Sequence, residues 1–240
     1  MEGFIDVHCH LLPGVDDGAQ SMEETKELLG IAVRDGIDAI IFTPHVRRPW
    51  LERPWETVLD AYGKVCEWAD AHYPELELYL GSEFDYSASV LAETPEKLHG
   101  IHDTEVMLVE FRPADSFERI ERGIGNVQMG GYDVLLAHIE RYECIVKNFS
   151  LVGRVLDMGA MIQVNADDIV KPRGFLHKRF MKKMIDNQLI HVVGTDAHDA
   201  RHRRPELQEA YRIVEKRAGR AYADRIFREN GRLLLEGELN

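Results

Sequence analysis

The sequence predicts an α/β fold in which seven parallel strands close into a barrel. Short apolar runs rich in β-branched residues alternate with longer amphipathic runs over the 240 residues, a pattern typical of strands joined by helical crossovers. The strands are apolar along almost their whole length, as expected for a sheet buried on both faces. Seven such units favour a TIM-like (β/α)7 barrel. No linker or low-complexity tract interrupts the chain, so residues 1–240 are predicted to form a single domain.

Each element follows from a local pattern. The predicted strands are residues 4–7, 39–42, 77–80, 106–109, 134–136, 161–164 and 191–193. The first helix begins at a capping box formed by Ser21 and Glu24 and ends at Gly36, a typical C-terminal stop. Further amphipathic patterns predict helices over 56–71, 117–127, 151–158, 175–187, 206–218 and 221–234.

The composition excludes several classes of protein. With 42 acidic and 29 basic residues the net charge is −13, which disfavours non-specific nucleic-acid binding. No run approaches the roughly 18 apolar residues of a membrane-spanning helix. The first strand begins at once, leaving no room for a signal peptide, and three widely separated cysteines suit a reducing compartment. We therefore expect a cytoplasmic protein without membrane insertion.

The candidate metal ligands follow the ends of the predicted strands. Residues two apart on a strand point to the same side, so His8 and His10 can offer two nitrogen ligands to one metal ion. Asp196 and His198 repeat this spacing after the last strand. A histidine or a carboxylate follows every strand, namely His8 and His10, His45, Glu83, Glu110, His138, Asp167 and Asp168, and Asp196 and His198. Such ligands, without thiolates, favour zinc, manganese or iron, and a cluster of two or three ions suits hydrolysis.

Cysteine chemistry is disfavoured. No cysteine is followed six residues later by arginine, as the phosphate loop of a thiolate-dependent tyrosine phosphatase requires. Cys9 lies between His8 and His10 and is expected to point the other way, into packing.

The motifs Asp-Val-His-Cys-His, Gly-Val-Asp-Asp-Gly, Thr-Pro-His, Ala-His-x-Glu-Arg-Tyr and Thr-Asp-Ala-His, spread from residue 4 to about residue 205, resemble the polymerase-and-histidinol-phosphatase (PHP) family. More narrowly, they resemble its bacterial protein-tyrosine phosphatases from capsule and exopolysaccharide gene clusters. Glu110, where many PHP enzymes have histidine, and the run Glu140-Arg141-Tyr142 favour this branch. The resemblance implies a distorted seven-stranded barrel.

The resemblance also implies three divalent ions, with manganese favoured over iron, zinc, cobalt or magnesium. The first ion would be bound by His8, His10, Glu83 and Asp196, the second by Glu83, Glu110 and His138, and the third by Asp17, His45 and His198. Asp16 is expected to be a turn residue. No family ligand corresponds to Asp167 or Asp168.

Two arginines of this branch bind phosphate. Arg141 corresponds to the first. The second usually precedes proline, which selects Arg204 before Pro205, whereas Arg203 has the expected spacing from His198. We take Arg204 as the candidate and keep Arg203 as the alternative.

The implied activity is metal-dependent hydrolysis of a phosphomonoester by a metal-bridging hydroxide, with the arginines holding the phosphate. The implied substrate is a phosphotyrosine protein, such as a bacterial tyrosine kinase that controls polysaccharide export. The alternatives are a PHP phosphatase of a small phosphoester (histidinol phosphate or a nucleotide), a metal-dependent nuclease or amidohydrolase, and a non-catalytic metal-binding protein. The tryptophan- and arginine-rich segment 46–55, just after His45, is a candidate for substrate contact.

Overall fold

The barrel is built from nine parallel strand segments in the computed structural model, which describes residues 3–47, 54–93 and 98–239. In chain order they are β1 (Phe4–Cys9), β2 (Ile37–Phe42), β3 (His45–Val46), β4 (Glu77–Leu80), β5 (Glu83–Asp85), β6 (Val106–Glu110), β7 (Asp133–Leu136), β8 (Met161–Asn165) and β9 (Val192–Gly194). Only two residues separate β2 from β3, and β4 from β5, so each of these pairs forms one interrupted strand. The described segments therefore correspond to the seven predicted strands.

Backbone hydrogen bonds join the segments into a closed ring. One sheet has the order β1-β2-β4 and the other β3-β5-β6-β7-β8-β9. The Gly81 amide donates to the Phe42 carbonyl at 2.8 Å, which connects the two sheets across the interruptions. Between β9 and β1, the Asp196 amide donates to the carbonyl of His8 at 2.7 Å, and Cys9 bridges to Ala197. The predicted parallel barrel is confirmed.

Helices cover the outside of this ring. They are α1 (Met22–Asp35), α2 (Trp55–His72), α3 (Ala88–Glu93), α4 (Phe117–Met129), α5 (Glu143–Lys147), α6 (Ser150–Asp157), α7 (Ala166–Val170), α8 (Gly174–Asp186), α9 (Gln208–Ala218), α10 (Arg220–Asp224) and α11 (Asn230–Glu236). As predicted, the Ser21 hydroxyl accepts from the Glu24 amide, and Gly36 ends α1 with a left-handed φ of 91°. No helix within the described ranges combines the length and hydrophobicity needed to cross a bilayer.

One predicted helix is divided in the structure, and three short helices are additional to the predicted ones. The pattern over 221–234 is divided into α10, a π-helical turn (Arg225–Glu229) and α11. Three short helices, α3, α5 and α7, were not predicted, because five or six residues are too few to display a 3.6-residue period.

The interior of the barrel is divided along its axis. Its N-terminal half is filled by apolar side chains, including Ile5, Leu108 and Leu135, and Leu234 of α11 packs against this cluster. Its C-terminal half holds buried histidines and carboxylates. A larger apolar core lies between the strands and the helices, and Cys9 belongs to it.

Candidate metal centre

The polar half of the barrel is organised around Glu83, which opens β5 and is 1% exposed. Its two oxygens lie close to four imidazoles. One oxygen is 3.0 Å from His138 Nε2 and 3.4 Å from His8 Nε2. The other is 2.9 Å from His45 Nδ1 and 3.3 Å from His10 Nε2. His45 is the register partner of Glu83 across β3 and β5, so strand pairing itself places that contact.

Asp196, which directly follows Thr195 after β9, provides a second point of convergence and is 2% exposed. Its Oδ1 lies 3.6 Å from His8 Nε2, 3.5 Å from His10 Nε2 and 3.6 Å from His198 Nδ1. The His-x-His and Asp-x-His pairs of the first and last strands therefore meet where the barrel closes.

The other two carboxylates lie toward the solvent. Asp17 Oδ1 is 3.2 Å from His45 Nε2 and 3.6 Å from His198 Nε2, and its side chain is 44% exposed. Glu110 lies 3.3 Å from His45 Nδ1 and 3.7 Å from His138 Nε2.

All nine predicted ligands thus lie at one end of the barrel, and eight of them fall into overlapping groups. Among the described residues, donor atoms within 4.8 Å of one another form three groups: His8, His10 and Asp196; His10, Asp17, His45 and His198; and His45, Glu83 and Glu110. The grouping differs from the implied sets in three respects. Glu83 is outside the first group, His10 also joins the second, and His45 stands in the third where the implied set has His138.

The hydrogen bonds of His8 and His10 show that the cluster fits a cation. His8 Nδ1 lies 3.3 Å from Gln163 Oε1, and His10 Nδ1 lies 2.7 Å from Asp16 Oδ2. Both partners are acceptors, so each Nδ1 carries a proton, and Nε2 is the nitrogen that presents a lone pair when the ring is neutral. These two Nε2 atoms are 3.2 Å apart and face carboxylates. Two lone pairs at this distance need a proton or a metal ion between them.

The buried side-chain amides of Gln163 and Asn165 hold the histidines and Asp196 in this arrangement. The backbone amide of His138 can only donate, and it lies 2.7 Å from Gln163 Oε1, which identifies that atom as oxygen. Gln163 Nε2 therefore donates to Asn165 Oδ1 at 2.9 Å, and Asn165 Nδ2 donates to Asp196 Oδ2 at 2.8 Å. Asp196 keeps its other oxygen free to face the histidines.

Charge and burial separate the pKa values of the cluster. Burial and His45 oppose protonation of His10, but Asp16 and Glu83 outweigh them and raise its pKa to about 9. Burial also opposes protonation of His45, and Glu83 and Asp17 raise its pKa to about 11. Despite burial, the surrounding imidazoles hold the pKa of Glu83 well below its usual range. In the absence of metal, protons on His10 and His45 balance the buried carboxylates.

The local backbone is shaped for the site. His138 and Asp196 have φ values of 31° and 52°, in the left-handed region that non-glycine residues seldom occupy. A Cβ on Gly194 would lie 2.6 Å from His8 Cβ, and one on Gly18 would lie 1.9 Å from the His10 carbonyl oxygen. Glycine is required at both positions because the metal-facing strand and its turn approach so closely.

Arg141 reaches the cluster, and so does one of the two candidates for the second phosphate-binding arginine. Arg141 Nη2 lies 2.6 Å from Asp196 Oδ2, and Arg203 contacts the same oxygen. The Arg204 guanidinium instead pairs with Glu206 at 2.9 Å and is 42% exposed. The structure therefore brings Arg203, and not the candidate Arg204, to the site. Arg47 spans the mouth between Asp17 at 2.8 Å and Glu110 at 3.4 Å.

A cavity of about 880 Å³ opens beside the cluster. Its walls include Asp17 and His198, the first turns of α1 and the loop containing Arg201 and His202. The centre is therefore accessible from solvent at the carboxyl ends of the strands, as expected for an enzyme built on this barrel.

Residues 4–236 match a protein family described as "Capsular polysaccharide synthesis, CpsB/CapC". The chain belongs to the CpsB/CapC family. The predicted resemblance to the tyrosine phosphatases of capsule gene clusters is thereby confirmed.

Characterised relatives match along almost the full length. The tyrosine-protein phosphatase CpsB of Streptococcus pneumoniae is 34% identical over 98% of this chain and 100% of its own length. The tyrosine-protein phosphatase YwqE of Bacillus subtilis is 31% identical over 98% of this chain and 92% of its own.

Solved structures agree with the CpsB/CapC assignment. One from a study of YwqE and CpsB, described as metal-dependent tyrosine phosphatases, has a TM-score of 0.87 at 30% identity, covering 98% of this chain and 95% of that one. A zinc-containing histidinol phosphate phosphatase from Lactococcus lactis has a TM-score of 0.56 at 15% identity, over 90% of this chain and 94% of that one, and shares the fold alone.

Several functional contacts of this CpsB/CapC protein were not predicted. Asp16, interpreted as a turn residue, binds His10 Nδ1, and Gln163 and Asn165 connect His8 to Asp196. The spacing of Asp16 from His10 within an acidic turn could have suggested a partner for the imidazole. Of the segment 46–55, residues 48–53 lie outside the described residues.

Proposed function

We propose that this protein, a metal-dependent tyrosine-protein phosphatase of the CpsB/CapC family, binds three divalent cations at the end of its barrel and hydrolyses phosphotyrosine in a protein substrate. The observation that carries the proposal is the convergence of nine histidine and carboxylate side chains with two arginines. Oxygen and imidazole ligands suit manganese first, with iron, zinc, cobalt and magnesium as alternatives.

The ligand assignment follows the contacts. The Nε2 atoms of His8 and His10, with the carboxylates of Glu83 and Asp196 opposite them, would hold the first ion. The second would lie among Glu83, Glu110 and His138, and the third among Asp17, His45 and His198. Burial and Arg141 lower the pKa of His138 to about 4, so its imidazole is neutral and able to act as a ligand.

When bound, such ions supply an activated water as nucleophile and neutralise charge on the phosphate oxygens. The protein itself supplies orientation. Each guanidinium has five N–H donors, and Asp196 uses only part of this set on Arg141 and Arg203. The remaining donors can bind two phosphate oxygens in a forked geometry, which positions phosphorus beside the cluster.

The cysteines support this chemistry over thiolate catalysis. Cys9 is fully buried in the outer core, its thiol donates to the Ile41 carbonyl at 3.5 Å, and burial raises its pKa well above the usual value. Burial likewise raises the pKa of Cys66 and Cys144. A protonated thiol is a poor nucleophile.

Membership of a capsular polysaccharide synthesis family supports a tyrosine kinase of that process as the physiological substrate. The arginines and the open cavity beside Asp17 and His198 would receive the phosphorylated side chain.

The decisive experiment combines metal analysis of the purified protein with hydrolysis of a phosphotyrosine peptide, histidinol phosphate and a dinucleotide. We expect manganese-dependent hydrolysis of the phosphotyrosine peptide, with the other two cleaved at least about a hundredfold more slowly. Preferred cleavage of histidinol phosphate or of the dinucleotide would contradict the proposal, as would full activity after metal removal.

Arg203→Gln and Arg204→Gln form a matched pair of variants. Because Arg203 contacts Asp196 while Arg204 pairs with Glu206, we expect about a tenfold or greater loss of kcat/KM in Arg203→Gln. Arg204→Gln should stay within about twofold of the wild type. The reverse order would restore Arg204 as the phosphate ligand.

A further inference from the structure

One stretch of this acidic protein is strongly basic. Residues 169–185 contain no aspartate or glutamate but six lysines and arginines, in a chain whose net charge is −13. The basic residues are Lys171, Arg173, Lys178, Arg179, Lys182 and Lys183. They occupy the loop before α8 and the length of this helix.

The start of α8 lies at the catalytic end of the barrel. Since β8 ends at Asn165 and α7 follows at once, the loop that leads into α8 leaves from the carboxyl ends of the strands. Arg173 is tied to Asp168 of α7 at 3.2 Å. Helix α8 also packs against the turn Ile139–Arg141, which carries the phosphate-binding candidate Arg141.

Exposed apolar groups accompany the positive charge. Phe175 is 82% exposed and Leu176 is 43% exposed, at the first turn of α8. Beside them is a cavity of about 130 Å³ whose lining includes Leu176, Phe149, Arg179 and Lys183. The Lys183 ammonium lies 4.7 Å from the centre of the Phe149 ring, so cationic and aromatic surfaces are contiguous here.

The cations of this helix are largely available for a partner. Among the described residues, no carboxylate lies within 4.0 Å of the charged groups of Lys178, Arg179 or Lys182. Most other basic side chains on the helices, such as Lys64, Arg119, Lys147 and Arg217, pair with an acidic neighbour.

We propose that Phe175, Leu176, Lys178, Arg179 and Lys182, here called the α8 surface, bind an acidic segment with an apolar residue next to the phosphotyrosine of the protein substrate. The inference rests on the proposed function, and it assigns a specificity element outside the metal centre. An acidic peptide is attracted to this patch, whereas the chain as a whole has a net charge of −13, so charge complementarity favours this position for such a segment.

Local charge favours a peptide over an anionic membrane. At physiological salt the Debye length is about 8 Å, so a narrow peptide responds mainly to the α8 surface. A flat bilayer would also sense the rest of a chain whose net charge is −13. One exposed phenylalanine and one half-exposed leucine also offer little apolar area for insertion into lipid.

The test uses the metal-loaded full chain and a pair of charge-reversed variants. Lys178→Glu/Arg179→Glu changes the α8 surface, and Lys216→Glu/Arg225→Glu makes the same charge change elsewhere. The control positions are exposed, and Arg225 lies near His191, at the opposite end of the barrel. The substrates are p-nitrophenyl phosphate and two phosphotyrosine peptides of equal length, one with Asp and Glu beside the phosphotyrosine and one with Asn and Gln.

We expect the α8 variant to raise KM for the acidic peptide by about five- to twentyfold while leaving kcat unchanged. Its kinetics with p-nitrophenyl phosphate and the neutral peptide should match those of the wild type. Phe175→Ser should raise KM for peptides with an adjacent apolar residue. For the wild type, but not the α8 variant, KM for the acidic peptide should rise steeply with NaCl.

Two results would overturn the inference. An equal KM change in both double variants would show a general effect of net charge. Unchanged peptide kinetics with lost binding to phosphatidylglycerol vesicles would show that the α8 surface contacts membranes instead. Failure of the wild type to cleave any phosphotyrosine peptide would contradict the proposed function itself, which is a separate outcome.

Discussion

The same strands supply apolar side chains to one half of the barrel interior and charged side chains to the other. Leu108 and Leu135 fill the N-terminal half with apolar side chains, whereas Glu110 at the end of β6 and His138 just after β7 face the metal centre. The apolar half gains stability by removing surface from water. The polar half buries charge, which is tolerable only because each group has partners of opposite charge or fixed amide donors. We therefore expect substitutions in the two halves to produce different kinds of damage.

The largest effect on activity should come from Glu83→Gln. Its carboxylate contacts four imidazoles and belongs to two of the proposed metal sites, so neutralising it should lower kcat by about a thousandfold or more, with loss of bound metal. Metal content and kcat, with circular dichroism for the fold, check this.

Glu77→Gln is the matched control for that variant. Glu77 begins β4 at the opposite end of the barrel and pairs with Arg232 at 2.6 Å. Its replacement should leave metal content and kcat unchanged. If both variants lost metal equally, the division between the two halves would be wrong.

Leu135→Ala should instead destabilise the protein without affecting the site. Leu135 is fully buried in the apolar half, and its truncation should reduce the free energy of unfolding by about 2–5 kcal/mol. Leu59→Ala, at a half-exposed position of α2, should reduce the free energy of unfolding by less than about 0.5 kcal/mol. Urea unfolding measures both. A large fall in manganese affinity in folded Leu135→Ala would show that the halves are coupled.

Gln163→Leu tests the boundary between the halves. Without the amide, His8 loses the acceptor for its Nδ1 proton and Asn165 loses its donor, so manganese affinity should fall about 10–100-fold. Gln163→Glu restores the acceptor for His8 and His138 and should recover part of this loss. The control is Gln128→Leu, which removes a side-chain amide that donates to the Met158 carbonyl, far from the imidazoles. Calorimetric titration of metal-free protein would distinguish them, and equal affinity in all three would contradict the role of Gln163.

The number of protons released on manganese binding is the smallest effect that should separate changes in the polar half from changes in the apolar half. With pKa values of about 9 and 11, His10 and His45 are protonated at pH 7.5 in the metal-free protein and must lose these protons to become ligands. Manganese binding should therefore release about two protons, and apparent affinity should rise as pH increases toward 9. Titrations in buffers of different ionisation enthalpy measure this number. Leu135→Ala should release the same number, and absence of release in the wild type would contradict the protonated state.

The features that could be predicted from the sequence are those marked by a regular hydrophobic period or by a fixed spacing between functional residues. The His8 and His10 pair, the Asp196 and His198 pair and the position of Glu83 after a strand all reflect strand geometry, and the structure brings them together. A parallel barrel collects strand ends at one rim, so the topology alone gathers distant residues.

Other features depend on contacts that leave no local pattern. Arg203 and Arg204 are adjacent, and only the conformation of the loop, in which the His198 amide donates to the Arg203 carbonyl, decides which one faces Asp196. Gln163 and Asn165 are neutral residues within and at the end of a strand, and their role appears only once β7, β8 and β9 lie side by side.

The closure of the barrel between β9 and β1 has a consequence for biosynthesis. The first candidate ligands to leave the ribosome are His8 and His10, but their partners Asp196 and His198 follow about 190 residues later. At roughly 5–20 residues per second, translation leaves the first pair without its last partners for about 10–40 s. The complete set of candidate ligands therefore forms only after the last strand has closed the ring.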